Sequence, residues 1–213
     1  MRPTTNTYIK IAVVVPTCDK ERKPFLNFLL KRIKNQTRRA DHVFIIDHPN
    51  KGGIDITDRF KLGMDKAFDA GCDFVISMED DDYYPLTYIE NMERAWVYNE
   101  KPQIIGHFQT INYNIRDNTY RVRNRFDRAS AYCTAVGRSV NFDIREQIWD
   151  VAAWMKNDGV LVNIQPPPVG IKHGIGMTGG HTQSICTLKD TDKSILRKIV
   201  DKEAFEFYDG YFQ

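Results

Sequence analysis

Residues 72–85 read CDFVISMEDDDYYP, and this stretch decides the fold. Asp73 to Met78 is apolar and β-prone, the pattern of a strand buried on both faces. Four acids follow without a break, Glu79, Asp80, Asp81 and Asp82. Two tyrosines and Pro85 come next, and proline suits the first turn of a helix. A buried strand that delivers carboxylates at its C-terminal end is a common active-site arrangement in open α/β sheets. Packed carboxylates raise one another's pKa unless a cation neutralises them. Mg²⁺ and Mn²⁺ prefer such oxygen ligands and share them with substrate phosphates. Acids also complement a helix N-terminus, but four in a row exceed what a cap requires.

Upstream, strand and helix patterns alternate. Tyr8 to Val15 (YIKIAVVV) is β-branched and ends at Pro16-Thr17. From Pro24, the spacing of Phe25, Phe28, Leu29 and Ile33 predicts a helix with one apolar stripe. His42 to Asp47 predicts a second buried strand. A second helix carries Phe60, Met64, Ala67 and Phe68, with Thr57 as its expected N-cap and Gly71 as its stop. After the acidic run, Tyr88, Ile89, Met92, Ala95 and Trp96 mark a third helix. Three strand–helix units with short links predict an α/β fold, a mostly parallel sheet flanked by helices. The strand ends at Pro16-Thr17, at Asp47-His48 and at the acidic run then share one sheet edge, where a nucleotide crevice is expected.

The second half is less regular. Gln103 to Asn112 and Thr119 to Phe126 predict strands joined by a hairpin at Arg116-Asp117-Asn118. Ala131 to Val136 and Val160 to Ile164 predict two further strands. Asp143 to Asn157 predicts a helix with Ile144, Ile148, Val151, Ala152 and Met155 on its apolar face. The glycine-rich VGIKHGIGMTGGH (169–181) reads as loop, long enough for a lid, and a last helix carries Ile195, Ile199 and Phe205.

The chain has 213 residues, 42% hydrophobic and 27% charged, which suits a soluble globular protein able to bury a sizeable core. A net charge of +2 names no partner. The four cysteines (Cys18, Cys72, Cys133, Cys186) form no C-x-x-C pair, which argues against a zinc ribbon and fits reduced thiols. No apolar run is long enough to span a bilayer, and MRPTTNTYIK lacks the apolar core of a secretion signal, so a cytoplasmic location is expected.

VVVPTCDKE (13–21), Gln36-Thr37, VFIIDH (43–48), Lys61-Leu62-Gly63 and MEDDDYYP (78–85) fall in a telling order and spacing. Over roughly residues 9 to 98 this series resembles the nucleotide-diphosphosugar transferases of the GT-A fold. Within them it is similar to the family 2-like group that includes SpsA-like and cellulose-synthase-like inverting enzymes. The resemblance implies a nucleotide-sugar-binding half over 1–102 and an acceptor-binding half over 103–213, together one compact domain. It implies a UDP-sugar donor, a divalent metal (Mn²⁺ or Mg²⁺) and an acceptor hydroxyl. Pro16, Thr17 and Asp19 would lie beside the base, and Asp47 at the base or ribose. Arg59 or Lys61 would reach base or diphosphate, although either equally suits a solvated helix face. The acidic run would supply the D-x-D motif, with Asp80 near the ribose and, with Asp82, on the metal, and Asp81 beside the nucleotide. Glu79-x-Asp81 fits the same spacing, so the register is open by one residue. Asp150 is the expected base, with Asp143 and Glu146 competing; a surface acid on an amphipathic helix is the plain alternative. His181 and His173 are candidate metal ligands, and Lys172 a candidate phosphate contact.

Arg121, Arg123 and Arg125 alternate, so on a strand they share one face, with Tyr113, Tyr120 and Phe126 nearby. Such a face suits a polyanion, and nucleic acid is the expected acceptor if it binds one; otherwise it is a solvated face balanced by Asp117 and Asp127. A nucleotidyltransferase shares the sheet and the acidic site, but VVVPTCDKERKP has no glycine where such enzymes carry a Gly-rich loop. A non-catalytic nucleic-acid-binding protein is the remaining alternative.

Overall fold

The structure is a computed structural model that describes residues 8–17, 20–48, 55–141, 148–175 and 186–211. The fold is α/β, as the sequence predicts. Strand β1 (Ile11–Pro16) is wholly buried, with parallel neighbours β2 (His42–Ile46) and β3 (Phe74–Ser77) on its two sides. Helices α1 (Lys23–Lys34), α2 (Ile56–Asp69) and α3 (Tyr88–Tyr98) form the crossovers. Because the three strands run parallel, their C-terminal ends lie on one edge.

The sheet continues through β7 (Thr134–Gly137), β4 (Ile104–His107) and β8 (Gly159–Val162) in the order β2-β1-β3-β7-β4-β8, with β7 antiparallel to both of its neighbours. A second sheet has the order β10-β6-β5-β9: β5 (Gln109–Asn114), β6 (Thr119–Asn124), β9 (Val169–Lys172) and β10 (Leu188–Lys189). The expected hairpin is its centre.

Several elements differ from expectation. Gln103–Asn112 is two strands, because Phe108 leaves one sheet for the other: its N–H donates to Val162 and its carbonyl accepts from Arg125. Ala131–Cys133 is a 3₁₀ turn, and only Thr134–Gly137 is strand. The N-cap of α2 is Asp55, with Thr57 buried in the first turn; Gly71 does stop the helix, at φ +82°. Val169–Lys172, read as loop, is a fully buried strand. The last helix is two, α5 (Ser194–Ile199) and α6 (Lys202–Gly210), because the Asp201 side chain caps Ala204 N–H and starts a new helix.

Helix α4 (Trp149–Lys156) is rotated from the expected face. Met155 is 80% exposed and Ile148 58%, whereas Trp149, Asp150, Ala152, Ala153 and Trp154 are buried. Two indoles bury more apolar surface than Ile and Met, and they win the core: Trp149 packs on Phe60 at 4.6 Å. Asp150 goes inward with them. Among the described residues, no helix is long and apolar enough to cross a membrane.

Candidate functional site

The first two strand ends are tied together from beneath. Arg59, 1% exposed, donates from Nη1 to the carbonyls of Thr17 (2.6 Å) and Ile46 (3.0 Å), and from Nη2 to that of His48 (2.7 Å). Asp55 accepts its other donors at 2.9 and 2.8 Å. Arg59 is therefore built into the floor beneath Pro16-Thr17 and Asp47-His48, its fork committed to backbone. Asp47 is exposed at the end of β2, and Lys61 faces solvent, paired with Asp65 at 3.0 Å.

The acidic run forms a turn rather than a continuation of the strand. β3 ends at Ser77, so strict alternation stops there, and Asp82 N–H closes on the Glu79 carbonyl at 3.3 Å. The Tyr84 hydroxyl accepts from Glu79 N–H at 2.8 Å. Curled in this way, Glu79, Asp81 and Asp82 bring carboxylate oxygens within 4.8 Å of one another. Asp80 lies outside that group and shares with Asp81 an ion pair to Arg22, which stands 2.6 Å from Asp81.

Strand β9 holds the turn from the other side. Tyr83 and Val169 exchange backbone hydrogen bonds of 2.9 and 3.0 Å, and Ile171 N–H donates to Asp82 Oδ1 at 2.7 Å. Lys172 then lies against the acids, and His173 Nε2 meets Asp81 Oδ2 at 2.8 Å. Ile175 N–H donates to His173 Nδ1 at 3.2 Å, which leaves Nε2 to carry the proton directed at Asp81. Phe25 stacks on that ring at 4.4 Å. Thus His173 holds the Asp81 carboxylate in place. Asp19 and His181, with Asp143 and Glu146, lie outside the described residues.

The electrostatics follow from four acids facing two cations. Burial, then Asp81, raises Glu79 to about 7, with Lys172 and Arg22 pulling it back and Asp150 adding to the rise. Burial also raises Asp80 to about 7 against the pull of Arg22. Burial drives Asp82 well above its ordinary value despite Lys172. Asp81 goes the other way: burial opposes its charge, but Arg22, the His173 hydrogen bond and Lys172 outweigh that. Lys172 is raised by Asp82, Asp81 and Glu79, which overcome the larger single effect of burial. One carboxylate is held charged, and burial favours the protonated form of the other three.

Asp150 opens α4, its carboxyl raised by burial and held back by Arg128. The sequence assigns no role to Arg22 or Tyr84, whereas Arg128 belongs to the same basic run as Arg121, Arg123 and Arg125. Arg22 had one legible signal, a cation in the loop after the first strand. Arg121 and Arg123 do share a face of β6, whereas Arg125 lies beyond its end.

No family model matches the chain, and no curated protein matches it. Two solved structures are similar in outline. The A197 protein of STIV is 12% identical, with a TM-score of 0.47 over 73% of this chain and 82% of that one. A protein of Desulfovibrio desulfuricans G20, assigned as a nucleotide-diphospho-sugar transferase, is 14% identical, with a TM-score of 0.48 over 94% and 93%. Likenesses of that size leave the function to be argued from the site itself.

Proposed function

We propose that this protein is a metal-dependent glycosyltransferase that moves a sugar from a nucleotide-diphosphosugar, a UDP-sugar in the first instance, to an acceptor hydroxyl with inversion. The observation that carries this reading is the convergence of Glu79, Asp81 and Asp82 at the C-terminal edge of a parallel sheet, beside two strand ends suited to a nucleotide.

The donor set fits a hard divalent cation. It is all oxygen, and Asp82 Oδ2 is buried with no hydrogen-bond partner among the described residues. Once ionised, the four carboxylates against Arg22 and Lys172 would leave two formal negative charges, the complement of one such ion. Glu79, Asp81 and Asp82 would hold it, and when bound it neutralises the diphosphate as a leaving group. The chain's own residues do the rest. Arg59 fixes the two strand ends where Pro16, Thr17 and Asp47 meet the base and ribose. Lys172 and Arg22 supply charge for phosphates, and His173 keeps Asp81 in place. Asp150 takes the proton of the attacking hydroxyl; partial desolvation lifts its basicity toward that task. For the acceptor we propose a polyanion, nucleic acid foremost, on the strength of Arg121 and Arg123 sharing one face of β6.

Calorimetric titration of UDP with and without Mn²⁺ tests the reading. UDP should bind the wild type only with the metal present, and Asp82→Ala should lose that metal-dependent binding. Metal-independent binding, or none, would overturn the UDP form of the proposal.

A further inference from the structure

Beyond the acidic turn, the structure holds a second charged cluster of opposite sign. Arg125 and Arg128 follow β6, their side chains 15% and 22% exposed. Each Nε–H is buried with no hydrogen-bond partner among the described residues. The acid they share, Asp127, is 68% exposed and stands 3.7 Å from one and 3.9 Å from the other, too far for a hydrogen bond. Burial and the neighbouring charge of Arg128 push Arg125 below its ordinary value. Two guanidiniums that share one exposed acid and leave each Nε–H buried without a hydrogen bond among the described residues require an explanation.

Packing places this pair beside Asp150. A Cβ on Gly106 would stand 2.3 Å from Ala129 Cβ and 3.0 Å from the Trp154 ring, so the residue after Arg128 and helix α4 meet at one point of β4. Asp150 lies four residues before Trp154, on the same face of α4. The backbone of Arg125 is fixed there too, its N–H donating to the Phe108 carbonyl at 2.8 Å.

We propose that Arg125 and Arg128 form an anion subsite that binds a phosphate group of the acceptor and so sets its hydroxyl against Asp150. This rests on the transferase reading and names the acceptor class: a hydroxyl compound bearing phosphate. Paired arginines suit this ligand because their planar forks bind phosphate oxygens two at a time. The phosphate belongs either to a small phosphorylated acceptor or to a nucleic-acid strand.

The test titrates glycerol 3-phosphate and an eight-residue thymidine oligonucleotide into wild type and into R125Q/R128Q, alongside UDP with Mn²⁺. At least one phosphate probe should bind wild type and bind at least tenfold more weakly in the double variant, with UDP affinity unchanged. Binding of glycerol 3-phosphate points to the small acceptor; oligonucleotide binding alone, weakening with salt, points to the strand. No binding of either probe, or equal affinity in both proteins, overturns the proposal. If UDP and Mn²⁺ fail while the arginine-dependent phosphate binding persists, the subsite stands and the transferase reading falls. Should the double variant not fold, R128Q, at the more exposed of the two, carries the same comparison.

Discussion

The acidic turn should make the metal-free protein less stable as the pH rises, and a divalent cation should reverse the loss. Glu79 stands at about 7 in the folded chain against an ordinary 4.5, and Asp80 at about 7 against 3.8. Both folded values lie above the unfolded ones, so the protonated forms stabilise the fold. That contribution is complete below about pH 4 and is lost as the pH climbs through 7. One pKa unit is about 1.4 kcal/mol, so the Glu79 shift alone amounts to about 3 kcal/mol. The two acids share Arg22 and Asp81 as neighbours, so their shifts are not summed. For a chain of this length, about 3 kcal/mol moves Tm by roughly 6–12 °C. His107 opposes the trend: burial holds it below its ordinary value, so its contribution is lost on acidification instead. Glu79→Gln separates the two, since it removes the acid and leaves His107. Melting curves in EDTA between pH 5.5 and 8 should show wild type losing stability relative to Glu79→Gln. Saturating Mn²⁺ should raise the wild-type Tm more at pH 8 than at pH 5.5, because the cation displaces protons that are already gone at the higher pH. A metal-free difference that stays flat across the range, or a Mn²⁺ shift equal at both pH values, would refute the reasoning.

Three further outcomes follow from single contacts. Asp150→Asn should abolish sugar transfer while leaving UDP affinity within about twofold, read by turnover and calorimetry; surviving transfer would place the base elsewhere. His173→Asn removes the hydrogen bond that orients Asp81 and should weaken Mn²⁺ binding by about 10–100-fold, read as free Mn²⁺ by electron paramagnetic resonance. Asp201→Asn leaves the fully buried Arg32 without the charge it grips at 3.2 and 2.5 Å, and should cost about 2 kcal/mol in urea unfolding. A loss under about 0.5 kcal/mol would mean that the Tyr84 carbonyl and the Tyr83 ring suffice for Arg32.

The first half of the chain was legible because its elements are long and periodic. IAVVVP and FVIS are buried on every residue, and continuous β-branched runs have few other homes. The second half was harder, because its decisive choices are made by tertiary contacts. Nothing local in VGIK outweighs the glycines that follow it; Val169 and Lys172 are strand because Tyr83 and β5 pair with them. The face of α4 was misread because Ile and Met at helical spacing look like a core stripe, whereas the two tryptophans that take the core are off that stripe. For the same reason the inward turn of Asp150 was hidden. The acidic residues were visible and their arrangement was not, since alternation governs a strand and Glu79 to Asp82 is a turn.

That turn also weighs on the choice between a working site and a relic. Burying carboxylates is costly unless they are paired and hydrogen-bonded. Here Asp80, Asp81 and Asp82 are each no more than 3% exposed, and Asp82 Oδ2 has no hydrogen-bond partner among the described residues. A protein using this corner only for packing would be more stable with amides or apolar side chains in their place. The surrounding residues compound the cost of a structural reading: β9 brings Lys172 to the acids, and His173, seated on Phe25, spends its one proton on Asp81. Such local expense, with buried acids held at raised pKa values and each partner oriented, is what the proposed cation site would account for. The nucleic-acid-binding alternative asks only for the arginines of β6 and leaves this expense unexplained.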